Sequence, residues 1–67
     1  MSDSKTEYIV TYHYRGGGTY IETYDHQGTA LYSADHTMKT NKNYDWYEVK
    51  EVSFTEKLLK STKREVE

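Results

Sequence analysis

The 67-residue chain has no cysteine, no proline, eight tyrosines and a formal net charge of -2, a composition that fits one small domain. Lacking cysteine, it has no disulfide framework, thiolate metal site or catalytic thiol. No apolar run approaches the roughly 18 residues of a membrane span and no signal-type apolar segment is present, so a cytoplasmic location is expected.

In chain order, Met1 to Thr6 is polar and unpatterned and reads as a mobile arm, residues 1–6, ahead of a single domain over 7–67. Residues 7–15, EYIVTYHYR, are β-branched and aromatic and predict a first strand. Gly16, Gly17 and Gly18 supply a turn, and 19–25 predict a second strand. Asp25-His26-Gln27-Gly28 has turn composition, and a third strand is expected over about 29–38, its far end uncertain beyond Asp35. After the polar Asn41-Lys42-Asn43 loop, YDWYEVKEV predicts a fourth strand over 44–52. Ser53-Phe54-Thr55-Glu56 fits a capping box, and Phe54, Leu58, Leu59, Thr62 and Val66 fall roughly on one face of a helical pattern, with the helix expected over about 54–65. The expected fold is α+β, a four-stranded antiparallel meander with one C-terminal helix on one face, β-β-β-β-α.

Ile, Leu, Val and Phe together number only ten, so tyrosine has to supply much of the buried area, at about 150–250 Å² per aromatic ring. Cross-strand partners share a face, so hairpin parity decides what that area covers. An odd-numbered loop at the glycines sets Tyr14 opposite Tyr20, Tyr12 opposite Glu22 and Val10 opposite Tyr24. With a second hairpin that pairs Asp25 with Thr29, so that Tyr24 faces Ala30 and Glu22 faces Tyr32, one face gathers Tyr8, Val10, Tyr12, Tyr14, Tyr20, Tyr24 and Tyr32, and the other gathers Ile9, Thr11, Ile21, Thr23 and Leu31 as a strip for the helix. An even loop would mix the two sets. Equally open is a tyrosine face that is itself the core, with hydroxyls reaching its rim. An open tyrosine face would measure about 450 Å², the size of the largest patches tolerated on soluble monomers.

Catalytic and metal chemistry finds little support in the pattern. His13, His26 and His36 lack the spacing that aims imidazoles at one ion, GxSxG, SxxK and HExxH are absent, and neither metal nor cofactor is expected. The Arg15-Gly16-Gly17-Gly18 run lacks a Walker spacing and reads as a hairpin turn.

Two function classes follow from the tyrosines. Aromatic sheet faces stack single-stranded bases, but residues 1–38 set Lys5 and Arg15 against five carboxylates, a sum of -3. Tyrosine and tryptophan also anchor protein interfaces. The favoured expectation is a small non-enzymatic protein-binding module, itself a homodimer through the sheet face or an edge strand, with Tyr8, Tyr12, Tyr14, Tyr20, Tyr24, Tyr32, Tyr44 and Trp46 as partner-binding residues and Tyr47 beside them. Single-stranded nucleic-acid binding is the alternative. By analogy alone, a compact, cysteine-free, tyrosine-rich chain resembles the accessory proteins of phages and mobile elements that occlude a host enzyme.

Overall fold

A computed structural model describes residues 5–63. The elements are β1 (Glu7–Tyr14), β2 (Thr19–Tyr24), α1 (Gln27–Thr40), β3 (Tyr44–Val52) and β4 (Glu56–Ser61). The strands form one antiparallel sheet in the order β2-β1-β3-β4. Because β1 runs antiparallel to both neighbours, β2 and β3 are parallel to each other, and α1 is the crossover between them.

The α+β class and the four-stranded antiparallel sheet agree with the expectation, while the element order does not. The helix lies between the second and third strands, in place of the strand expected over 29–38. Its apolar residues Ala30, Leu31, Ala34 and Met38 recur at helical spacing, and alanine, leucine and methionine are strong helix formers. Extended alternation at Leu31 competes with that period and loses, because only the helix turns both alanines onto the sheet. The helix expected over 54–65 is instead β4, with residues 64 and 65 outside the described range. Ser53 turns the chain, its N–H donating to the Thr55 carbonyl at 3.1 Å, and β4 satisfies the free edge of β3. A ladder along a neighbouring strand here overrides helix propensity. Residues 1–4 of the expected arm lie outside the described residues.

The first hairpin has the expected odd loop, in a different register. Arg15, Gly16 and Gly17 form it: the Tyr14 N–H donates to the Gly18 carbonyl at 3.1 Å and the Gly17 N–H to the Tyr14 carbonyl at 3.1 Å. Gly17 and Gly18 have φ of 107° and 91°, which side chains resist. Tyr12 therefore faces Tyr20, Val10 faces Glu22 and Tyr8 faces Tyr24, two residues from the expected pairing but with the same faces.

The face that α1 covers is the tyrosine face. Val10, Tyr12, Tyr47 and Val49 from the central strands, with Tyr44, form the buried core with Ala30 and Ala34, and Tyr8, Tyr24, Leu31, Met38 and Leu59 pack around it. The small alanines bring the helix close while the rings fill the space beneath it. The strip of Ile9, Thr11, Ile21 and Thr23, expected to receive a helix, faces away from α1.

Candidate interaction surface

Beneath the helix the tyrosines form a ladder. Tyr12 stacks on Tyr44 with ring centroids 4.8 Å apart and on Tyr20 at 6.1 Å, and Tyr14 tilts against Tyr44 at 4.9 Å. Offset and tilted arrangements suit the ring quadrupoles. Burial raises the Tyr12 phenol above its ordinary pKa. The hydroxyl faces Thr37 yet closes no hydrogen bond. Tyr24 is pushed up to about 12, first by burial and then by its bond to Glu22. Tyr44 also reaches about 12, first through the Tyr14 phenol beside it and then through burial. Tyr20 donates to the other Glu22 oxygen at 3.1 Å.

Of the eight residues expected to bind a partner, Tyr12 and Tyr44 are buried and Tyr8 and Tyr24 are half-buried against the core. Tyr14 and Tyr20 are exposed where the hairpin runs out from under the helix, and Tyr32 is 72% exposed on α1. Trp46 lies on the other face of the sheet. A bulge explains its separation from Tyr44: His13 pairs with Trp46 but Tyr14 pairs with Tyr44, leaving Asp45 as an extra residue that reverses the alternation. Tyr44 and Tyr47 thus share the helix side, and the aromatic cluster expected around Trp46 is divided. Arg15 braces this end of the sheet, its Nε donating to the Lys42 carbonyl at 2.9 Å.

Across the opposite face, which among the described residues no helix covers, run Ile9, Thr11 and His13 of β1, Ile21 and Thr23 of β2, Trp46, Glu48 and Lys50 of β3, and Leu58 of β4. Ile21 is 58% exposed and Leu58 is 55% exposed. The His13 imidazole lies flat on the Trp46 indole, centroids 3.7 Å apart and planes 2° apart, with Lys63 Nζ 5.4 Å from the indole centroid. Lys50 reaches Glu48 at 4.0 Å and Glu56 at 3.9 Å, so its charge is matched within the face. Ile9, His13, Ile21 and Leu58 lie outside the expected partner-binding set, because alternation separates the two faces without saying which one is covered.

The chain matches no protein-family model, no curated protein and no solved structure. Among the described residues, no group of three or more histidine or acidic side chains could hold a metal ion, and no helix is long and apolar enough to cross a membrane.

Proposed function

We propose that this chain is a small protein-binding module whose contact surface is the uncovered sheet face, acting by occupying its partner's surface rather than by chemistry. The observation that carries the reading is that α1 covers one face only, leaving Ile21, Leu58 and the flat His13–Trp46 pair on the other. An antiparallel sheet can leave one face to water, but such faces are ordinarily polar. Large rigid rings ringed by threonine and by a neutralised lysine are instead typical of protein contact surfaces. A protein partner is favoured over nucleic acid because Lys50 is held between two carboxylates and Lys63 lies over the Trp46 ring, whereas a phosphate backbone needs a row of free cations to track it. Trp46 keeps its expected role as an anchor, while the buried ladder through Tyr12 and Tyr44 acts as scaffold.

Capture from lysate of the source cell, with and without nuclease, tests this reading when wild type is run beside Trp46→Ala and Leu58→Glu. A stoichiometric protein band that survives nuclease and is lost from both variants is expected. A band retained by both variants removes this face from the interaction, and material lost to nuclease establishes nucleic-acid binding instead.

A further inference from the structure

The two edges of the sheet are built differently. Edge strand β4 carries Lys57 and Lys60 and is interrupted by a bulge at Leu59, where the pairing steps from Lys50–Leu58 to Val49–Lys60. Lysines and bulges are the usual defences of an edge against further strand pairing. Edge strand β2, TYIETY, has neither: its ladder with β1 is regular, it contains no lysine, arginine, glycine or proline, and four of its six residues are exposed.

The outward-facing backbone of β2 follows from the hairpin. The Tyr14 N–H to Gly18 carbonyl bond marks that pair as a bonded one, and bonded and non-bonded pairs alternate along an antiparallel ladder. Tyr20, Glu22 and Tyr24 therefore turn their backbone groups toward β1. Thr19, Ile21 and Thr23 turn theirs outward, unpaired within the sheet.

We propose that β2 pairs antiparallel with β2 of a second copy of this chain, across a two-fold axis through Ile21, joining the two sheets into one. In this register Ile21 meets Ile21 and Thr19 meets Thr23, so every outward backbone group of the strand finds a partner. Tyr20 of each copy falls opposite Glu22 of the other, at a non-bonded position where side chains lie closest, and its hydroxyl already bonds that carboxylate type within the strand. An axis at Glu22 would oppose two carboxylates, and one at Tyr20 would leave Thr23 without a mate in the strand. Both helices then lie on the same side. The two uncovered faces become continuous, each about 400 Å² from four strands at about 4.8 Å spacing and six residues at about 3.4 Å. Joined, they reach the roughly 800 Å² per partner of a standard interface. The pairing itself rests on the β2 edge and not on the proposed partner of that face.

Sedimentation of the full chain over a concentration series tests the pairing, with wild type expected to approach twice the monomer mass. Ile21→Pro removes an N–H that makes no bond to β1, and Ile21→Lys opposes two cations at the axis; both are expected to be monomeric, with Leu58→Lys on the uncovered face remaining dimeric. The register is read by mixing Tyr20→Cys with Glu22→Cys under oxidation. Their Cα atoms would lie about 4.5 Å apart, within disulfide reach, so a disulfide-linked pair forms in the mixture and in neither variant alone. A wild type that stays monomeric, open-ended assemblies in place of dimers, or a dimer that survives Ile21→Lys overturns the proposal.

Discussion

Truncating Tyr12 examines whether the tyrosine ladder is core. The ring is fully buried and packs on Tyr20, Tyr44 and Tyr47. An aromatic side chain of about 150–250 Å², at about 25 cal/mol per Å², contributes about 4–6 kcal/mol when buried, an upper bound because the unfolded chain hides part of it. Tyr12→Ala is therefore expected to cost about 3–5 kcal/mol, against a total of about 3–10 kcal/mol for a chain of this length. Tyr12→Phe keeps the ring and removes a hydroxyl that closes no hydrogen bond; the change is expected to be neutral or stabilising by about 1 kcal/mol. Urea titration followed by far-ultraviolet circular dichroism measures both, each kcal/mol moving the midpoint by about 1 M at the slope of a small domain. A Tyr12→Ala midpoint within about 0.5 M of wild type would refute the burial reasoning. A Tyr12→Phe loss above about 1 kcal/mol would show that the hydroxyl is bonded after all.

Gly17→Ala and Gly18→Ala place a Cβ at positive φ and are expected to cost about 1–2 kcal/mol each. Gly16→Ala, with open space around the new atom and no positive φ, should be neutral or gain up to about 1 kcal/mol by thermal denaturation. Stability should fall as pH rises from 10 to about 12. Tyr24 and Tyr44 hold their protons up to about 12 in the folded chain, whereas unfolded tyrosines ionise near about 10, so their contribution is complete below pH 10 and lost above it. A urea midpoint that stays constant over that interval, or a decline that Tyr24→Phe does not lessen, counts against this linkage. His13→Ala removes the cross-strand ring from Trp46 and is expected to cost about 0.5–1 kcal/mol and to shift indole emission to longer wavelength; unchanged emission would mean that the stack does not shield Trp46.

The predicted β1, β2 and β3 end within a residue of the observed strands, because β-branched and aromatic runs bounded by glycine or asparagine have few other local solutions. The sequence leaves both an odd and an even loop open at the glycines; grouping the aliphatic residues on one face favours the odd one, and the pairing of β1 with β2 around Arg15, Gly16 and Gly17 has that parity. The remaining elements depend on contacts far apart in the chain. Residues 29–38 and 54–61 each hold a pattern compatible with helix and strand, and the choice depended on distant partners: the tyrosine face for Ala30 and Ala34, and the open edge of β3 for β4. The same contest settled the candidate surface. Alternation places Tyr12 and Ile21 on opposite faces, but only the return of α1 over the sheet determines that Tyr12 is scaffold and Ile21 meets solvent. The Asp45 bulge, which parts Tyr44 from Trp46, is likewise a consequence of pairing and has no local signature.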